Sequence, residues 1–119
     1  MVKTFRDLVV WQKAMDLVDE VYRLVRQLPG DEKYALGDQL RRAAVSVPSN
    51  IAEGFGRESH KDFAHFLIQA RGSLFETETQ LEIAARQSYI QVPSHVKDLI
   101  NEVSKMLNSL RTHLLRTPH

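Results

Sequence analysis

Apolar residues in this chain recur at alternating intervals of three and four, in four stretches separated by proline and glycine, and that spacing commits the chain to helices. In the first stretch Leu8, Trp11, Met15, Val18, Tyr22 and Val25 form one helical seam. Val10, Ala14, Leu17, Val21, Leu24 and Leu28 form a second seam beside it. An intramolecular core needs one seam, so the doubled face predicts a strip left over for self-association. Leu28-Pro29-Gly30 stops this helix, and Asp31 is the candidate N-cap of the next, with Glu32 near its positive end.

The second stretch, Leu36, Leu40, Ala43, Ala44, Val47, Ile51 and Phe55, keeps its spacing through Pro48, whose missing N–H predicts a kink rather than a break. Gly54 and Gly56 bracket Phe55, and Ser59 stands three residues before Asp62 as in a capping box, which places the turn near Arg57. A third stretch runs through Phe63, Phe66, Leu67, Ala70, Leu74, Leu81 and Ala84. Gly72 and Ser73 in its middle are expected to let a neighbouring helix approach. Behind Pro93 a fourth carries Val96, Leu99, Ile100, Val103, Met106, Leu107, Leu110 and Leu114, before a frayed end at Thr117-Pro118-His119. Helices are therefore predicted over about residues 6–27, 32–55, 60–87 and 94–115. Short connections make neighbours antiparallel, so the expected fold is all-α, a single up-and-down four-helix bundle.

With 119 residues, 43% hydrophobic and 26% charged, the chain can bury one core, and disorder is not indicated. No stretch is apolar enough to span a bilayer, and Met1 to Asp7 lacks a basic region followed by an apolar core; the expectation is a cytoplasmic protein without membrane contact. The absence of cysteine excludes disulfides, thiolate nucleophiles and cysteine-based metal sites. A net charge of +1 gives no global pull toward nucleic acid, so any such pull is local. From Val103 onward Lys105, Arg111 and Arg116 meet no acid, and His113 and His119 add charge at lower pH. The same cations also suit a helix C-terminus.

Catalytic patterns are incomplete. Asp62 and His65 make one acid-x-x-His pair, whereas a two-metal bundle needs a second pair and further carboxylates. His60 and His65 are five residues apart, off a common helical face. Gly54-Phe55-Gly56 follows a helix rather than a strand and lacks the Lys-Ser/Thr ending of a phosphate loop. No serine stands in a Gly-x-Ser-x-Gly turn. The expectation is a protein that is not an enzyme and holds no cofactor or metal.

One polar stripe stands out. Gln39, Arg42, Ser46, Asn50 and Glu53 return at helical spacing beside the apolar set. With a turn centred near Arg57, equal rise along antiparallel helices sets Arg42 level with Ser73 and Gln39 level with Glu76, so Arg42 is expected to reach Glu76. Arg71 and Glu78 on the third helix extend this to an interhelical polar network that specifies register.

Three segments carry a resemblance: Phe5 to Gln12 with its Val10-Trp11-Gln12, the run from Gln39 to Gly54, and Ala70-Arg71-Gly72-Ser73-Leu74 followed by Glu76 and Thr79-Gln80-Leu81. Together they resemble the bacterial four-helix-bundle family encoded in intervening sequences of 23S ribosomal RNA genes, which is related to the accessory protein of diversity-generating retroelements. The resemblance implies a homopentamer and no enzyme. Its relative has a basic surface thought to bind nucleic acid and a reverse transcriptase. Candidate nucleic-acid contacts are then Arg23 and Arg26 on the first helix, Arg41 and Arg57 on and beyond the second, Lys61 on the third, and Lys105, Arg111 and Arg116 on the fourth. The expected partners are further copies of the chain and RNA or DNA. The alternative is an interaction scaffold that receives a protein partner without nucleic acid.

Overall fold

Four helices carry the chain: α1 Val9–Val25, α2 Leu36–Phe55, α3 His60–Arg86 and α4 Ser94–Arg116. The structure is a computed structural model that describes residues 1–117; Pro118 and His119, within the expected frayed end, lie outside the described residues. Among the described residues there is no strand, and no helix is long and apolar enough to cross a membrane.

The first helix begins later than its apolar spacing suggests because a separate 3-10 turn, Phe5–Asp7, precedes it. The Thr4 hydroxyl accepts from the Arg6 N–H at 3.0 Å, and the Asp7 carboxylate accepts from the N–H groups of Lys3 at 2.8 Å and Thr4 at 3.0 Å. Leu8 then adopts extended backbone, and α1 starts at Val9. Phe5 meets the edge of Trp11 at 5.3 Å, and the Gln12 amide donates to the Arg6 carbonyl at 2.9 Å, so the turn is latched onto the helix it precedes.

Asp31 is not an N-cap. It lies inside a second 3-10 turn, Gly30–Lys33, where its carbonyl accepts from Tyr34 and Ala35, and α2 starts at Leu36 without a side-chain cap. Beyond that start α2 is unbroken through Pro48, which removes only the donor to the Ala44 carbonyl. Just past it Ser49 and Asn50 donate back to the carbonyls of Val45 and Ser46, each at 2.8 Å.

Named contacts fix the directions of the helices. Ser46 faces Ser73 while Gly54 faces Phe63 and Phe66, so α2 and α3 run antiparallel. Lys13 pairs with Glu102 at 3.4 Å and Glu20 with His95 at 2.8 Å, so α1 and α4 do too. The end of α1 lies against the start of α2, where a Cβ on Gly37 would come 2.9 Å from Val25. Between α3 and α4, Ser88 holds a left-handed conformation with φ 62°. The Tyr89 N–H donates to Ala84 and the Ser88 N–H to Ala85, both at 3.0 Å, the paired bonds of a Schellman ending. Ser59 caps α3 by accepting from Asp62 at 3.1 Å, and Pro93 leads into α4 at φ −60°.

The core is drawn from all four helices, with Leu17, Leu40, Val47, Ile51, Leu67, Leu74, Val103 and Leu107 fully buried. Each such aliphatic side chain contributes about 1.5–3 kcal/mol relative to exposure. On α1 the seam from Val10 to Leu28 is the buried one. The other seam is only partly covered: Trp11 and Val18 are half-buried, while Met15 and Tyr22 are 38% and 39% exposed. Gly72 does not serve close approach within the bundle, since a Cβ there would meet nothing within 4 Å. The close crossing is instead at Gly54, whose Cβ would come 2.7 Å from the Cβ of Phe66.

Candidate functional site

The polar stripe of α2 divides into two groups. Ser46 and Asn50 are half-buried and face α3: the Ser46 hydroxyl lies 2.8 Å from that of Ser73, and the Asn50 amide donates to the Ser46 hydroxyl at 2.9 Å. Thr77, fully buried one turn along α3, donates to the Ser73 carbonyl at 2.9 Å. The interhelical network is therefore a short ladder of neutral hydroxyls and an amide. Ser73 and Thr77 belong to it, although the sequence pattern marks Ser73 only as a small residue and gives no sign of Thr77 by residue type.

Arg42 and Glu76, expected to meet, are both exposed, and no ion pair joins them among the described residues. Register is not the cause: with Ser73 opposite Ser46, equal rise sets Arg42 level with Thr77, one residue from Glu76, but both side chains stand in solvent away from the α2–α3 seam. Gln39 and Glu78 are likewise outside the ladder, and Glu53 turns to Arg57 on its own side of the turn at 3.3 Å. Arg71 leaves the network altogether and lays its guanidinium 4.9 Å from the centre of the Phe75 ring.

The basic candidates also separate by what they touch. Arg23 pairs with Glu20 and Arg41 with Asp38, each on its own helix, and Arg41 also donates to the Lys33 carbonyl at 3.1 Å, tying the Gly30–Lys33 turn to α2. Arg57 is paired with Glu53 and stacks 4.6 Å over Phe66. Those three cations are already engaged. Arg26, Lys61, Lys105, Arg111 and Arg116 form no ion pair among the described residues. Lys61, Arg111 and Arg116 belong to one end of the molecule, where the His60 ring nitrogen contacts the Thr117 carbonyl and so joins the start of α3 to the end of α4. Arg26 stands at the opposite end, and Lys105 lines a shallow groove against Leu8, Val9 and Val10.

Two grooves run between α3 and α4. The larger, about 570 Å³, is lined by Glu78, Glu82, Arg86 and Lys97 and so carries both charge signs. The smaller, about 360 Å³, is lined by Arg71, Gly72, Phe75, Asn108 and Arg111, with no carboxylate. No group of three or more histidines, aspartates and glutamates among the described residues could hold a metal ion. Away from both grooves, the backbone N–H groups of Lys3 and then Thr4 hold the Asp7 carboxyl below its ordinary pKa.

Comparison with known proteins places this arrangement among relatives. The sequence model of the family described as 23S rRNA-intervening sequence protein matches residues 6–109. No curated protein gives a match. A crystal structure from Bacteroides thetaiotaomicron, of a protein of unknown function from the S23 ribosomal protein family, is 28% identical with a TM-score of 0.75. The likeness covers 87% of this chain and 96% of that one.

Proposed function

The chain belongs to the 23S rRNA-intervening sequence protein family, and from that premise we propose that it is a noncatalytic, homo-oligomeric accessory protein that binds RNA or DNA in the cytoplasm. The observation that carries this reading is the second half of α4. From Val103 onward it has no Asp or Glu, and its Lys105, Arg111 and Arg116 have no ion-pair partner among the described residues. A net charge of +1 gives one subunit a weak field, but a symmetric oligomer repeats the same cations around its axis. Labelled RNA and duplex DNA should bind at moderate ionic strength with affinity that falls as salt rises; failure of both to bind refutes the reading.

Self-association rests on the partly covered seam of α1. Met15 and Tyr22, with Val45 of α2 at 39% exposed, form an apolar strip that a second copy would cover. The family resemblance makes the homopentamer the proposed assembly, and the mass in solution tests it directly. The same strip supports a second reading, a scaffold for a protein partner. A partner that stays bound after nuclease treatment favours the scaffold; a partner released with the nucleic acid favours the first reading.

A further inference from the structure

Arg71 of α3 and Arg111 of α4 line the same groove, and each has its Nε buried with no hydrogen-bond partner. Neither forms an ion pair among the described residues. One turn to either side of Arg71 stand Leu67, Ile68, Leu74 and Phe75; around Arg111 stand Leu107, Asn108, Leu114 and Leu115. No carboxylate on either helix is spaced to neutralise them. Two half-buried like charges on one groove repel, and their unfilled donors are costly where water is scarce. An oxyanion bridging the two guanidinium groups through their terminal nitrogens would remove the repulsion, since each planar fork matches a pair of phosphate oxygens.

The remaining walls suit the same ligand. Phe75 is 41% exposed; Arg71 lies over one face of its ring, and the surface left exposed is apolar and can take a base. Gly72, where a Cβ would meet nothing within 4 Å, leaves its part of the wall open, and Asn108 offers a further polar group. We propose that the Arg71–Arg111 groove is a phosphate-binding site, taking either free phosphate or the phosphodiester of a single nucleic-acid strand. The oxyanion site stands on its own geometry; a strand as its source rests on the nucleic-acid reading above.

The full-length protein, labelled with nitrogen-15, tests this through its arginine Nε–H signals during titration with inorganic phosphate and, separately, with short oligo-dT and oligo-rU at low salt. The Arg71 and Arg111 signals should shift saturably, and Arg71→Lys or Arg111→Lys should weaken binding about tenfold by removing the fork while keeping the charge. Lys33→Arg, in the Gly30–Lys33 turn at the opposite end, should leave it unchanged. A shift with phosphate but not with oligonucleotide supports the oxyanion site and removes the strand as its source. A shift with oligonucleotide supports both. No saturable shift of the two signals in the wild-type protein, or a uniform drift of all arginine signals, overturns the proposal without appeal to any variant.

Discussion

The hydroxyl of Ser46 on α2 meets the hydroxyl of Ser73 on α3 at 2.8 Å, and this pairing sets the register of the two helices that share the most extensive interface in the fold. Replacing either serine by alanine should cost about 1 kcal/mol, because one half-buried hydrogen bond is removed. A double-mutant cycle should show the double variant less destabilised than the sum of the two, by about 0.5–1.5 kcal/mol. Strict additivity in thermal or denaturant unfolding would mean that the two hydroxyls are not coupled.

Gly54 and Gly72 make a matched pair with opposite expectations. A Cβ on Gly54 would meet Phe66 at 2.7 Å and Phe63 at 2.8 Å, so Gly54→Ala should destabilise by about 1–3 kcal/mol through overpacking. Gly72 is exposed inside a helix with nothing within 4 Å, so Gly72→Ala should stabilise by roughly 0.5–1 kcal/mol. Denaturant midpoints of the two variants check both signs together.

Ser88 carries φ 62° where the Schellman ending of α3 favours glycine. Ser88→Gly removes the left-handed penalty but loosens the unfolded chain, leaving a net gain of about 0.5 kcal/mol. Thermal unfolding should show a small rise in Tm, and a fall would contradict this account of the turn.

The pH dependence expected of the N-terminal turn follows from Asp7. Two backbone N–H groups favour its ionised form, so its pKa is lower in the folded chain than in the unfolded one. The contribution it makes is present above the unfolded value of about 3.9 and disappears as pH falls through the lower folded value. Carbon-13 titration of its carboxyl should give a pKa below that of an unstructured aspartate, with protection of the Lys3 and Thr4 amides disappearing over the same range. An ordinary aspartate pKa would contradict the capping arrangement.

The helices are legible because three-and-four spacing survives in a sequence regardless of what it packs against. The gap in the α3 stripe between Leu74 and Leu81 is legible too: Thr77 holds the missing core position, and the spacing marks it although its residue type does not. The turns at Phe5–Asp7 and Gly30–Lys33 are too short to show a period, so their residues read as extensions of α1 and α2. Ser88 hides a left-handed position because glycine is absent there. Setting Arg42 level with Ser73 assumes where the chain reverses; the observed register brings Arg42 beside the level of Glu76, but equal rise does not fix which way a side chain points, and both stand exposed. Hence single substitutions of either to alanine should change stability by less than about 0.5 kcal/mol. The Arg71–Arg111 groove depends on the pairing of α3 with α4, which no local pattern encodes.

The most direct test of the central claim is the salt dependence of binding to a fluorescent single-stranded RNA, compared between the wild-type protein and Arg111→Gln. If α4 neutralises phosphates, wild-type affinity falls linearly on logarithmic axes, and the variant's slope is shallower by about 0.7 for each phosphate it no longer neutralises. No binding by the wild type, or identical slopes and affinities for the two proteins, would contradict the account.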